Sequence, residues 1–322
     1  MTTDVRHGYE AAHEGCVLID RSDVAKLWVA GRDRFDLLHR MSTNDMLHMG
    51  QNEGRATVLT TSLGRIVDFI VTLNLGKRAL ILGSKGRAPE VSDWLARHIF
   101  FQDKVVITDA TGELGQFGLY GAKAGAVADN LVTGSTKLPI YHSLPTGDSR
   151  LVRVPDLAGG GFEVIGPRSE IDSLVAEVKR FGAVTASSHL YDLLRVEEGM
   201  PGVDCEISGK YIPLEVGLWD AVSFNKGCYI GQEIIARMES RGKLAKKIIG
   251  LRSESELPIG ATLRTQEGGG RGIVTSSVHS PRLGWIAIGL LKPDFAEPGT
   301  RLTVERNGHL LPVTVTSLPF GN

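Results

Sequence analysis

Residues 55–83 read RATVLTTSLGRIVDFIVTLNLGKRALILG. Short runs of Val, Ile, Leu, Phe and Thr are cut by two glycine turns, Leu63-Gly64-Arg65 and Gly76-Lys77-Arg78. This pattern predicts three consecutive antiparallel strands. One charge interrupts it. Asp68 alternates with Ile66 and Ile70, so all three share a strand face. A carboxylate among isoleucines must reach solvent, line a cleft or be paired.

Strands and helices alternate on both sides of that run. Ile19 to Val29 reads as a strand region. After Gly31, the residues Phe35, Leu38 and Met41 recur at helical spacing. PEVSDWLARHIF, from Pro89, predicts a helix with proline near its first turn. KVVITDAT and GQFGLYG read as strands, and AKAGAVADNLV as a helix. SRLVRVPDLAGGGFEVIGP is a strand pair across a glycine turn. RSEIDSLVAEVKRFG is a helix capped by Ser169 and stopped by Gly182. A further helix runs from about Ser188 until Gly199 and Pro201 end it. The order of strands and helices predicts an α+β fold with a ferredoxin-like part at about residues 50–135.

Past Lys247 the texture changes. Short apolar runs are cut by Gly, Pro and Ser with no helical period, which predicts a small antiparallel barrel or sandwich over residues 243–322. The glycines of QEGGGRGIV lack the GK[ST] ending and the following helix of a phosphate loop, so they read as a hairpin.

Composition bounds the rest. The chain has 322 residues, 42% of them hydrophobic and 23% charged, with a formal net charge of −1. That is ordinary for a globular protein with a sizeable core, and the global charge does not select nucleic acid. No apolar run is long enough to span a bilayer, and the first fifteen residues have no apolar core of a secretory signal. The expected compartment is the cytoplasm. The three cysteines, Cys16, Cys205 and Cys228, form no CxxC pair, and no HExxH is present, so nothing supports a disulfide framework or a metal site.

Three further features invite chemistry. Glu197, beside Glu198, stands at a helix end. It is either a solvated carboxylate or one facing a pocket, where it could accept two parallel hydrogen bonds from a 2-amino-pyrimidinone edge. Cys228 follows Lys226 and Gly227 and precedes a helix that begins near Gln232. A nearby cation and a helix N-terminus favour a thiolate, whereas most free cysteines are buried and inert. Both readings stand on local grounds. Arg237, Arg241, Lys243, Lys246 and Lys247 crowd one segment. They form a solvated basic face or a contact for a polyanion, either an RNA backbone or an oligoglutamate tail.

KGCYIGQE followed by ARMESRGKLAKKIIGL resembles the signature of the folate-binding YgfZ proteins, relatives of the glycine-cleavage T-protein (aminomethyltransferase). GRDRFDLLHRMSTND, LTTSLGRIVDFIV, LRVEEGMP and GIVTSSVHSPRLGWIAIGLL extend that resemblance over nearly the whole chain. It implies a three-domain T-protein-like ring around a folate, with two intertwined α+β domains in residues 1–242 and the barrel in 243–322. It also implies tetrahydrofolate, or a one-carbon derivative, as ligand. Glu197 then corresponds to the residue that holds the pterin edge, and Asp68 to the aspartate beside the reactive folate nitrogens. Lys226, Cys228 and Tyr229 fall in the signature, which implies Lys226 and Tyr229 as folate-binding residues and ties Cys228 to activity. The implied function is support of iron–sulfur enzyme assembly or repair, including the enzymes of tRNA thiomethylation. The alternative is folate-dependent aminomethyl or methyl transfer. One departure is local: T-proteins commonly carry asparagine where this chain reads Gly83-Ser84.

Overall fold

The computed structural model describes residues 3–321, without the side chains of Thr3, Asp4 and Arg241. The chain divides into two compact units. One holds the residues up to Leu190 together with Asp220–Gln232, and the other holds Tyr191–Trp219 and the chain from Glu233 onward.

The first unit begins with α1 (Thr3–Glu14), β1 (Cys16–Asp20), β2 (Val24–Ala30) and α2 (Arg34–Met41). The predicted three-strand run follows as β3 (Gly54–Thr60), β4 (Ile66–Asn74) and β5 (Arg78–Lys85). Then come α3 (Ala88–Ala96), β6 (Val106–Asp109), β7 (Leu114–Tyr120), α4 (Ala124–Leu131), β8 (Ser143–Thr146), β9 (Ser149–Leu157), β10 (Gly160–Pro167), α5 (Arg168–Arg180) and β11 (Ala183–Ala186). Two sheets result. One has the order β3-β4-β5-β2-β6 with antiparallel pairs throughout. The other has the order β11-β1-β7-β10-β9-β8, with β1 and β11 parallel.

Each sheet buries one face under helices. Leu27, Ile70 and Ile81 of the five-stranded sheet pack with Leu37 and Leu38 of α2 and Val91 and Leu95 of α3. Phe117, Leu119 and Val164 of the six-stranded sheet pack with Val127 of α4 and Val178 of α5. Leu73 and Leu80 from one sheet and Val152 and Ile165 from the other share a third core, so the remaining sheet faces meet. A strand packed on both faces reads as a nearly unbroken apolar run, as β4 and β5 do.

The second unit takes in the end of α6 (Ser188–Glu197) and α7 (Gln232–Arg241) after its first residue. Its six strands are β12 (Lys247–Ser253), β13 (Thr262–Arg264), β14 (Gly270–Ser280), β15 (Gly284–Leu291), β16 (Arg301–Arg306) and β17 (His309–Thr316). They close a barrel in the order β12-β15-β14-β13-β16-β17, antiparallel at every pair. The expected C-terminal antiparallel barrel is thus present, and closure leaves no free sheet edge. The Gly268–Gly270 run forms the β13–β14 hairpin, as its missing phosphate-loop features predict.

Two local expectations differ. Residues 19–29 form two strands, because Asp20 Oδ1 accepts the Ser22 N–H at 2.9 Å and turns the chain. Ser169 does not cap α5. The helix already includes Arg168, and its N-cap position is Pro167, with no side-chain cap.

Candidate functional site

The loop of residues 220–231 is tied to α2 and β3 by paired hydrogen bonds. Ser223 N–H donates to Thr43 O at 2.9 Å, and Thr43 Oγ1 donates to Ala221 O at 2.6 Å. Ile230 N–H donates to Arg40 O at 3.1 Å, and Thr60 Oγ1 donates to Ile230 O at 2.8 Å. Gly231 makes the exit turn with φ +85°. A Cβ there would stand 2.6 Å from Thr61 O, so no side chain fits.

Lys226 is the clasp of this loop. Its ammonium donates to the carbonyls of His39, Ser42 and Asn44 at 2.5, 2.7 and 2.8 Å. These carbonyls end α2 and begin the next segment, so the cation meets the negative end of a helix. Burial pulls its pKa down to about 7, with Asp45 opposing. Three carbonyl acceptors call for three N–H donors, which only the ammonium has. Nζ also sits 4.9 Å from the centre of the Tyr229 ring. Tyr229 is buried, and burial pushes its hydroxyl up to about 12. Cys228, between the two, is exposed.

Asp68 lies on β4 opposite Leu59, the neighbour of Thr60. Its side chain is fully buried. Ser84 of β5 donates its N–H to Oδ2 at 2.9 Å and its hydroxyl to Oδ1. Burial raises the Asp68 pKa to about 6, while the Ser84 bonds and the charge of Arg87 pull it back. Gly83 allows the approach: a Cβ there would stand 2.9 Å from Oδ2. Ser84 was visible in the sequence only as a departure from a T-protein asparagine. Its partnership depends on sheet register, which no short motif encodes.

Glu197 closes α6 in the other unit and is 9% exposed. Its carbonyl accepts the Phe320 N–H at 2.8 Å. The turn of α6 before it is held by Arg195, whose guanidinium bonds Asp192, Met200 O and Ser276. Glu206, fully buried, accepts from Ser276 Oγ at 2.9 Å and from Gly202 N–H at 2.7 Å. This network fixes the helix end that carries Glu197.

Of the basic stretch, Arg237, Lys243 and Lys247 are exposed. Lys246 is half-buried, 4.8 Å from the centre of the Tyr211 ring. The side chain of Arg241 lies outside the described residues. Among the described residues no group of three His, Cys, Asp or Glu side chains is arranged to hold a metal ion, and no helix is long and apolar enough to cross a membrane.

Residues 1–226 match the family model of the GCVT N-terminal domain, and residues 246–321 match that of the glycine cleavage T-protein C-terminal barrel domain. The chain belongs to the glycine cleavage T-protein family. A chloroplastic protein of Arabidopsis thaliana named "Putative transferase" is 29% identical over 97% of this T-protein-family chain and 72% of its own. The aminomethyltransferase of Rubrobacter xylanophilus is 28% identical over 98% of this chain and 86% of its own. The crystal structure of glycine cleavage system aminomethyltransferase T from Bartonella henselae superposes with a TM-score of 0.89 at 21% identity. That superposition covers 98% of this chain and 89% of the other, and it establishes the shared fold.

Proposed function

We propose that this T-protein-family chain binds tetrahydrofolate or a one-carbon derivative and uses Cys228 to support the assembly or repair of iron–sulfur enzymes, including those that thiomethylate tRNA. The carrying observation is a buried carboxyl and an exposed thiol built on one strand pair. Asp68 sits opposite Leu59, and Thr60, the next residue, holds the loop that presents Cys228. A carboxyl with a pKa near 6 holds or releases a proton close to neutral pH, which suits a group beside basic folate nitrogens. Glu197, mostly buried at its helix end, suits the pterin edge through charge-assisted bonds. Arg237, Lys243 and Lys247 suit an anionic partner, an oligoglutamate tail or an RNA backbone.

A second reading is aminomethyl or methyl transfer at the folate. It is favoured by the retained Asp68 and by the names of the bacterial relatives. The two readings share the ligand and differ in the need for Cys228.

Calorimetric titration with folate derivatives tests the shared part. Wild type should bind, and Glu197→Ala should lose most of the affinity without unfolding. No binding by wild type overturns both readings. Cys228→Ala should bind folate normally yet fail to restore iron–sulfur enzyme activity in cells lacking the protein. Full restoration defeats the thiol role, and methylenetetrahydrofolate formation by purified protein with an aminomethyl donor favours transfer.

A further inference from the structure

His39, on α2, is 8% exposed. Its Nδ1 lies 3.2 Å from Asp45 Oδ1 and 3.3 Å from the Met46 N–H. Its Nε2 makes no hydrogen bond to another described residue, and the side chain is 10% exposed. That nitrogen points at the loop carrying the thiol: a Cβ built on Gly227 would meet His39 Nε2 at 3.7 Å and, its chain neighbours Lys226 and Cys228 aside, nothing else within 4 Å. The loop is also pinned to His39 itself, because the Lys226 ammonium bonds the His39 carbonyl. Cys228 is therefore two residues from a clasp on His39 and one residue from the atom that faces its ring.

Gly227 adds an independent observation. It is not among the glycines in the left-handed region, and a Cβ there makes only an ordinary contact. Neither backbone conformation nor crowding calls for glycine. A side chain longer than a methyl would grow over Nε2, so glycine keeps that nitrogen open to the loop.

We infer that His39 is the proton partner of Cys228, with Asp45 and Met46 setting its ring. This rests on the thiol role proposed above. In one tautomer Nδ1–H donates to Asp45 and Nε2 carries the lone pair. The Sγ–H bond then breaks as an Nε2–H bond forms, leaving a thiolate–imidazolium pair whose Nδ1–H faces Asp45. In the other tautomer Nδ1 accepts from Met46, and Nε2–H donates to a thiolate already formed. Both favour the sulfur anion, which is the nucleophile and the ligand form of cysteine. The charges around the ring agree. Burial first and Lys226 next hold the His39 pKa below its usual value, with Asp45 and Asp36 opposing, so the ring is neutral and able to accept. Burial opposes ionisation of Asp45, but the hydrogen bonds from His48 and the Leu47 N–H outweigh it and hold its pKa below the usual carboxylate value.

The test is alkylation of the full chain by iodoacetamide, a neutral electrophile. The rate at Cys228 is read by peptide mass from about pH 5.5 to 9, a span that brackets the usual histidine and cysteine values. Cys16, buried, and Cys205, half-buried, report the fold in the same digest. His39→Gln should slow alkylation at pH 7 by about tenfold or more and raise the midpoint of the pH profile by about one unit, since reactivity follows the thiolate. Gly227→Leu, which covers Nε2 while leaving His39 itself in place, should act in the same direction. Asp45→Asn should fall between. Wild-type rate and midpoint in His39→Gln overturn the inference. If that variant does not fold, wild-type behaviour of Gly227→Leu overturns it. The probe needs neither folate nor a partner. Slower alkylation in these variants therefore supports the pair even where folate titration fails, and unchanged alkylation defeats it even where folate binds.

Discussion

Ser84 holds both oxygens of Asp68, its N–H on Oδ2 at 2.9 Å and its hydroxyl on Oδ1. The pair joins adjacent strands inside a sheet packed on both faces. Two hydrogen bonds do not fully replace water around a buried carboxylate, and the Asp68 pKa stands at about 6 instead of 3.8.

Asp68→Asn should therefore stabilise the protein at neutral pH while abolishing any proton-transfer role. The folded state binds more protons than the unfolded state between pH 3.8 and about 6. The contribution of Asp68 to stability is thus fully present below 3.8 and is lost as pH rises through 6. About two units at about 1.4 kcal/mol each set an upper bound of about 3 kcal/mol. Asparagine has no such loss. Urea unfolding should show almost no gain in the variant near pH 3.5 and a gain of about 2 to 3 kcal/mol above pH 7. An equal gain at both pH values would exclude buried ionisation as the cause.

Ser84→Ala should move the same curve the other way. It removes the hydroxyl donor and keeps the N–H. A hydrogen bond to a charged group contributes about 1.5 to 3 kcal/mol, so the variant should be less stable at pH 7 by about that amount. The loss should shrink near pH 4, where Asp68 is protonated in the folded state. A pH-independent loss would mean that Ser84 acts through packing alone.

Much of this arrangement is legible in the chain. The period-two pattern with two glycine turns predicts β3, β4 and β5, and the Gly- and Pro-cut texture predicts the barrel. Asp68 among isoleucines predicts a carboxylate that reaches solvent, lines a cleft or is paired. The identity of the partner is another matter, because register between β4 and β5 decides it and many registers satisfy the same apolar pattern. Lys226 shows a second limit. Two residues before Cys228 in sequence, it reads as a cation for the thiol, yet its three N–H donors go to carbonyls more than 180 residues away. His39 shows a third: a histidine in an amphipathic helix carries no local sign that its Nε2 faces a glycine so far along the chain. Glu197 is legible as a helix-end carboxylate, while the Arg195, Glu206 and Ser276 network that braces its helix is not.

Lys226→Met should cost about 2 to 5 kcal/mol, because three carbonyls around one nitrogen lose their donor together. Lys226→Arg should not restore the loss. A planar guanidinium fork cannot aim three N–H bonds from one centre at three converging carbonyls. Thermal unfolding of both variants checks this. Wild-type stability in Lys226→Arg would show that charge alone is needed.

Gly231→Ala and Gly227→Ala should separate sharply, although both glycines belong to one loop. At Gly231 the left-handed φ of +85° strains any L side chain, and its Cβ would stand 2.6 Å from Thr61 O and 3.0 Å from Gly64 Cα. Strain of about 1 to 2 kcal/mol adds to a clash with backbone, which cannot yield without breaking the bond between Thr60 and Ile230. The total should exceed about 2 kcal/mol, with the loop loosened before the core. At Gly227 the new methyl meets, its chain neighbours aside, only His39 Nε2, at 3.7 Å, on an exposed stretch of chain. That change should stay within about 0.5 kcal/mol. Chemical denaturation measures both, and hydrogen exchange at Ile230 N–H reports the loop. Equal costs at the two sites would mean that the loop is not fixed to β3 as described.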